Sequence, residues 1–345
     1  MKRFLSLTVF LFAISTTSAL EHLWYYTETP RSRESLFKNI DKIDILAPQT
    51  YELGLNGEVK STMKADVIDL AKKHNVKVMP LLANTDGKSF NQRNIKNMLD
   101  NHENWVRVSN YLVTEAREKG YIGWQLDLEY IPVSYADKFN GFVRFLKTSF
   151  EANGLLLSAA IVSKISDNPK DYDANYWKNW AGAYDYRTLA SSTDFLSIMA
   201  YDQPNSPGPV ATLGWSKKVL EYSLKNIPPE KISFGIPVYS WAYRSHELAK
   251  GKKHFTMVDF PLVHAKLTST STEKHTMTTG RGMSSHFGNI SWVSYNMFGR
   301  NYTIWCEDKE SFSQKYNQVK SMAPSAHGVS MWVLGDEDPA IWSLF

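Results

Sequence analysis

Two kinds of hydrophobic pattern alternate along the chain. Short apolar runs fall at His22 to Tyr26, Ile43 to Gln49, Val76 to Leu82, Gly123 to Tyr130, Leu155 to Val162, Asp194 to Tyr201, Ile232 to Tyr239 and Gly328 to Leu334. Their length predicts strands, and Leu155 to Val162 has the unbroken apolar character of a parallel strand covered on both faces. Between them lie stretches in which apolar residues return every three or four positions, which predicts helices. These are Arg31 to Asn39, Thr62 to His74, Asn91 to Lys119, Tyr135 to Asn153, Tyr172 to Leu189, Trp215 to Lys225 and Glu310 to Ser321. Gly120, Asn153-Gly154 and Pro228-Pro229 supply stop signals.

Eight strands, nearly all separated by helices, predict an α/β fold, a (β/α)8 TIM barrel. A doubly wound open sheet is the competing architecture. It is usually announced by a glycine-rich phosphate loop after the first strand, and Thr27-Glu28-Thr29-Pro30 fills that place instead. Between strands seven and eight, residues of about 244–308 form a small insertion rich in Lys, His, Ser and Thr. It ends in a predicted hairpin, Ser291 to Met297 with Tyr302 to Glu307, joined through Phe298-Gly299-Arg300-Asn301.

One strand carries more than core. In Gly123 to Tyr130, Trp124, Leu126 and Leu128 share one parity, and Gln125, Asp127 and Glu129 share the other. A period of two turns both carboxylates the same way, near the C-terminal end of an apolar strand. Two readings stay open from this stretch alone: an edge strand with a solvated face, or a catalytic dyad in which one carboxyl is raised by its neighbour. Barrel enzymes place their chemistry at the C-terminal strand ends. Those ends here carry Gln49 and Tyr51, Asn84, Asp127 and Glu129, Tyr201 and Asp202, Tyr239 and Trp241, and Trp332. Carboxylates with aromatic rings on one rim suit a neutral, ring-shaped, hydrogen-bonding ligand such as a sugar.

Composition narrows the classes. The 345 residues include 11 Trp, 18 Tyr and 17 Phe, which serves a core or a sugar cleft equally. Met1 to Ala19 has the pattern of a secretory signal: Lys2 and Arg3, the apolar run Phe4 to Ile14, then small residues. The run is short for a membrane span, so the expected protein is secreted, extracellular or periplasmic, with no stable membrane span. Loss of Lys2 and Arg3 would lower the formal charge from +4 to +2, and no basic cluster interleaves with aromatics, so nucleic acid is not an expected partner. Cys306 is the only cysteine, so no internal disulfide forms, and a small buried hydrophobe is its expected role. No His-Glu-x-x-His or paired ligand spacing occurs, and no metal or cofactor is expected; His246, His254, His264, His275 and His286 of the insertion are read as solvated.

Four segments in order resemble glycoside hydrolase family 18, the chitinase-like barrels. They are Gly123 to Tyr130, Met199-Ala200-Tyr201-Asp202, Phe234-Gly235-Ile236-Pro237-Val238-Tyr239, and Gly328 to Trp332 followed by Leu334-Gly335-Asp336-Glu337-Asp338. Residues Pro207 to Leu220 and Trp305-Cys306-Glu307-Asp308 resemble the bacterial branch that trims cell-wall and spore-cortex glycans. The family's strand-four signature, Asp-x-x-Asp-x-Asp-x-Glu, is kept at Asp127 and Glu129, whereas Ile122 and Gln125 replace its first two acids. The resemblance implies substrate-assisted hydrolysis, with retention, of β-1,4 bonds next to N-acetylglucosamine in chitin-type or peptidoglycan-type polymer. In that scheme Glu129 protonates the glycosidic oxygen, Asp127 steadies the sugar acetamide and Tyr201 bonds its carbonyl. Asp202 and Trp332 contact the sugar, with Gln125, Tyr239 and Tyr51 as further substrate-side candidates, and the chain is expected to act as a monomer. Two other classes stay open: a barrel that binds glycan without turnover, motivated by the missing acids, and a partner-binding barrel that uses the insertion.

Overall fold

The computed structural model describes residues 20–87, 89–206, 208–244, 255–258, 278–284, 287–297 and 300–345. The signal-like segment 1–19 lies outside them, as do the five insertion histidines, Pro207 and Phe298-Gly299.

The strands in chain order begin with β1 (Glu21–Tyr26), β2 (Ile45–Pro48), β3 (Tyr51–Leu53), β4 (Val59–Ser61), β5 (Lys77–Val78) and β6 (Leu81–Ala83). Then come β7 (Gly123–Asp127), β8 (Leu156–Val162), β9 (Phe195–Met199) and β10 (Ile232–Pro237). A second group follows: β11 (Ser240–Arg244), β12 (Phe255–Val258), β13 (Thr278–Ser284), β14 (Gly288–Met297) and β15 (Arg300–Cys306), before β16 (Gly328–Trp332) returns to the first sheet. Two barrel positions are interrupted strands. β2 and β3 are the two halves of one, and β5 and β6 of the next, because β2 pairs with β5 and β3 with β6, both parallel. Read that way, the parallel pairings run β1, β2/β3, β5/β6, β7, β8, β9, β10, β16 and back to β1, which closes an eight-position parallel barrel. The (β/α)8 expectation holds and the open sheet does not.

Side chains alternate across the barrel wall as strand geometry requires. Trp24, Leu46, Leu82, Trp124, Leu126, Leu157, Ile198, Phe234 and Met331 face outward into the large core under the helices. Leu23, Tyr25, Ile45, Ala47, Met79, Leu81 and Phe195 face inward, with Ile122 and Trp332 packed against them. Ile122, where the family pattern has its first acid, is therefore an apolar plug of the barrel interior.

The helices match their periodicities with two exceptions. The single helix expected over 91–119 is two, Gln92–Asp100 and His102–Lys119, because the side chain of Asn101 caps a new start on Glu103 N. The helix expected over 172–189 breaks into short pieces around a π-helical turn, Trp177–Ala181. Gly120 closes His102–Lys119 in the left-handed conformation, as expected of a C-terminal glycine.

Strands β11 to β15 form a separate antiparallel sheet in the order β12-β11-β15-β14-β13, and the hairpin expected at its end is β14 paired with β15 from Ser291↔Cys306 to Met297↔Arg300. Cys306 is fully buried there beside Val293 and Ile304. A buried ion pair ties this sheet to the barrel: Glu307 Oε2 lies 2.6 Å from Lys315 Nζ on the helix Lys309–Met322 and accepts from Ser311 Oγ. Burial pushes the Glu307 carboxyl up, and Lys315 opposes the shift. Among the described residues no helix is long and apolar enough to cross a membrane.

At the end of the barrel away from the carboxylates, Glu21 on β1 sits between His327, whose Nε2 is 3.2 Å from Glu21 Oε2, and the ammonium of Lys77. The His327 contact, with Lys77 adding to it and burial opposing both, lowers the Glu21 pKa from 4.5 to about 2. The folded state then binds fewer protons than the unfolded chain across that window. The resulting stabilisation is complete above about pH 4.5 and is lost as the pH falls toward about 2. Glu21→Gln is expected to melt at a lower temperature than the parent at neutral pH, with the gap closing through that interval; thermal melts in a pH series check it.

Candidate active site

Glu129 lies two residues past the end of β7, so strand pairing alone does not hold it. Its backbone is clamped from the neighbouring strand end. Asn84, fully buried after β6, accepts from Glu129 N at 2.8 Å and donates to Glu129 O at 2.9 Å. Tyr184 donates to the intervening Leu128 O at 2.7 Å. Tyr130 then takes a left-handed backbone, φ 57°, which turns the chain away. These contacts aim the Glu129 side chain into a cavity of about 440 Å³ at the C-terminal mouth of the barrel. Tyr25, Gln49, Asp127, Tyr201, Asp202 and Trp332 line it from the barrel side, and Phe90, Tyr176 and Trp180 form a wall beyond.

Asp127 and Glu129 are within hydrogen-bonding contact of each other. Burial, helped by the Asp127 and Asp202 charges, pushes the Glu129 carboxyl well above the usual range. Burial likewise raises Asp127, to about 6, against the pull of Gln49 Nε2 at 3.3 Å and of Glu129. The signs describe a pair that shares one proton, carried by Glu129 and offered to Asp127.

Beneath the pair, Gln125 uses its whole amide: Oε1 accepts from Tyr25 Oη at 2.8 Å, and Nε2 donates to Ser158 Oγ at 3.0 Å and Ser197 Oγ at 2.9 Å. It joins β1, β8 and β9 across the barrel and is fully buried. Tyr201 can lie in the wall because β10 carries Gly235 opposite it; a Cβ there would meet Ile198 O at 2.4 Å and Tyr201 Cε1 at 2.9 Å. Tyr25 packs against Trp332 with ring centroids 5.2 Å apart.

Of the sequence-derived candidates, the structure brings Asp127, Glu129, Tyr201, Asp202 and Trp332 to one cavity. Three others do not line it. Tyr51 turns into the helix layer, where its hydroxyl donates to Glu115 Oε1 at 2.9 Å and meets Tyr121 Oη at 2.8 Å. An unbroken strand would have put Tyr51 on the inner face with Ala47; the interruption at Gln49-Thr50 shifts the parity by one. Gln125 lies under the carboxylates with no amide atom left for a ligand. Tyr239 is buried behind Asp202 and donates to its Oδ1, so it holds a cleft residue instead of lining the cleft.

Phe90, Tyr176 and Trp180 escaped the sequence reading. Tyr176 and Trp180 fit a helical face, but the π-helical turn, closed by Gly182 N on Trp177 O, rotates them to the cleft. The wall is fastened from behind. Lys164, buried after β8, sits over the rings of Trp177, Tyr186 and Tyr222 at 5.2–5.6 Å, with its Nζ 2.8 Å from Asp167 Oδ1.

Comparison with known proteins gives the family. Residues 21–338 match the model of glycosyl hydrolases family 18. A putative sporulation-specific glycosylase, YdhD, of Bacillus subtilis is 24% identical over 302 residues, 85% of this chain and 66% of that protein. A cortical fragment-lytic enzyme of the same species is 24% identical over 86% of this chain and 65% of its own length. The chain thus spans about two thirds of the length of these relatives. Among solved structures, a chitinase from Chromobacterium violaceum superposes with a TM-score of 0.80 at 22% identity, over 94% of this chain and 97% of that one. The spore cortex-lytic enzyme SleL of Bacillus megaterium superposes with a TM-score of 0.78 at 22% identity, over 94% of this chain and 73% of that one.

Proposed function

The chain belongs to glycosyl hydrolase family 18, and from that premise we propose that it is a secreted glycosidase that cleaves β-1,4 bonds next to N-acetylglucosamine. The observation that carries the reading is Glu129 buried beside Asp127, its carboxyl pushed well above the usual range, in a cavity that Trp332 also lines. The family is a known exception to the ordinary pair of a protein acid and a protein nucleophile. Glu129 gives its proton to the glycosidic oxygen as that bond breaks, and the substrate's own acetamide oxygen attacks the anomeric carbon. Asp127 orients the acetamide N–H and offsets the positive charge that develops on it, while Tyr201 donates to the acetamide oxygen. Water then opens the cyclic intermediate from the face the leaving group vacated, and Glu129 takes the water's proton, so configuration is retained. Asp202, braced by Tyr239, contacts the sugar. The relatives named for cortex lysis and chitin hydrolysis support this substrate class. Export rests on the pattern of Lys2 to Ala19, and N-terminal sequencing of the exported protein should find Leu20 first.

Product analysis tests the reading. Chitin oligomers and purified peptidoglycan are expected to yield fragments whose new reducing end is β by early-time proton NMR. A new reducing end in the α configuration would overturn the assignment.

The active form holds one proton on the pair, which fixes the direction of the pH profile. With Asp127 at about 6, activity should rise as the pH passes upward through about 6. It should then fall at higher pH, as Glu129 loses the proton it donates. Initial rates of kcat/KM across pH check this, and Asp127→Asn is expected to abolish the acidic limb.

A further inference from the structure

The cleft does not stop at the wall. A second cavity of about 570 Å³ opens beside the first and shares Gln49, Phe90 and Trp180 with it. That volume lies within the range of a small-molecule site. The corner between the two is aromatic. Trp180 stacks on Tyr130, centroids 5.0 Å apart at 27°, and Phe90 stands edge-on to Trp180 at 87°. Glu52 also lines the second cavity, with Thr62 and Thr85. As the residue after Tyr51 on β3 it has the opposite parity, which turns it from the helix layer toward the cleft. Its Oε1 accepts from Thr85 Oγ1 at 3.2 Å, so one carboxylate oxygen is already anchored. The hydrolytic steps above make no use of Glu52. Among the described residues, neither cavity is lined by any Lys, Arg or His.

A carboxylate and aromatic rings lining one ligand-sized cavity, with no cation among its described lining residues, is the chemistry that receives an ammonium group. We infer that this arm of the cleft takes a glucosamine residue with a free amine, its ammonium paired to Glu52, so that the protein favours partly N-deacetylated glycan over the fully acetylated polymer. The inference rests on the glycosidase reading for the neighbouring cavity. The acetamide needed for catalysis is read at Trp332, and the free amine is read one cavity away, so the two demands fall on different sugars. A glycan crowded with free carboxylates is disfavoured by the same arm.

The test uses the full chain carrying Glu129→Gln, so that glycan is bound and not cut. Calorimetry compares a fully acetylated chito-oligosaccharide with one of the same length carrying free amines at defined positions. The amine-bearing oligomer is expected to bind about five- to tenfold tighter, with the preference shrinking as salt is added. Adding Glu52→Gln, which keeps the acceptor for Thr85, should bring the ratio of the two affinities close to one. Equal affinities before that change, or an equal loss for both oligomers after it, would overturn the inference; the second result would mean that Glu52 reads hydroxyls. Turnover by the unaltered protein, measured alongside, separates the two readings. Hydrolysis of acetylated oligomers without any amine preference sinks only this inference. Amine-selective binding with no hydrolysis of any glycan sinks the glycosidase reading and leaves only the pairing of an ammonium group with Glu52 standing.

Discussion

Exchanging Glu129 for Gln is expected to lower turnover of chito-oligosaccharides by about 10²- to 10⁴-fold, the usual contribution of a positioned proton donor. The loss should appear in kcat, because Gln keeps the shape and the backbone clamp from Asn84 while it removes the transferable proton. Aryl glycosides, whose leaving group needs little protonation, should lose less. The same exchange is expected to stabilise the fold. Burial beside Asp127 and Asp202 raises the Glu129 carboxyl, so the folded state holds a proton that the unfolded chain releases. Stability is then lost as the pH rises above the unfolded value of about 4.5. A neutral amide escapes this cost. Thermal melts at neutral pH should show the variant above the parent, and melts below about pH 4.5 should show the two together. A variant that is both inactive and less stable at neutral pH would mean that Glu129 is not held as a raised acid.

The second large effect is structural. Gly123 opens β7 directly against β8, and a Cβ there would lie 1.9 Å from Leu156 O and 2.7 Å from Leu156 N. The obstacle is backbone in a closed barrel, which no rotamer change relieves. Gly123→Ala should therefore cost about 3 kcal/mol or more, at or beyond the top of the usual range for overpacking, and leave little soluble protein. Gly154→Ala is the matched control. That glycine has φ +68° with nothing within 4 Å of the added carbon. It should cost only the left-handed backbone penalty of about 1–2 kcal/mol. Urea midpoints of the two variants against the parent decide it.

Legibility in the sequence followed periodicity. Every barrel position was marked by a short apolar run, and a period of two put Gln125, Asp127 and Glu129 on the side of the strand opposite Trp124 and Leu126. Parity failed where the ladder broke: Gln49-Thr50 is two residues of irregular chain, and beyond it Tyr51 faces the helices. It was also silent about depth. Gln125 and Tyr239 have the chemistry of ligand contacts, yet one lies a layer below the carboxylates and the other a layer behind Asp202. Only three-dimensional packing separates a residue that touches a sugar from one that braces its neighbour. Trp180 was hidden for a third reason, since its exposure to the cleft depends on one wide helical turn that no apolar spacing announces.

The neutral support under the dyad matters for the departures from the family pattern. An acid at Gln125 would bring a third buried carboxyl under Asp127, whereas the amide satisfies Tyr25, Ser158 and Ser197 without adding charge. Burial then raises Asp127, and Gln49 and Glu129 temper the rise.

Lys164 in its three-ring enclosure has a consequence for how this protein can be made. The wall it secures is fastened by an ammonium ion, aromatic faces and Asp167, without a sulfur bridge. Such fastening is indifferent to thiol–disulfide exchange. The cleft should assemble as readily in a reducing cytosol as outside the cell, and expression hosts that lack disulfide-forming machinery should deliver the native wall.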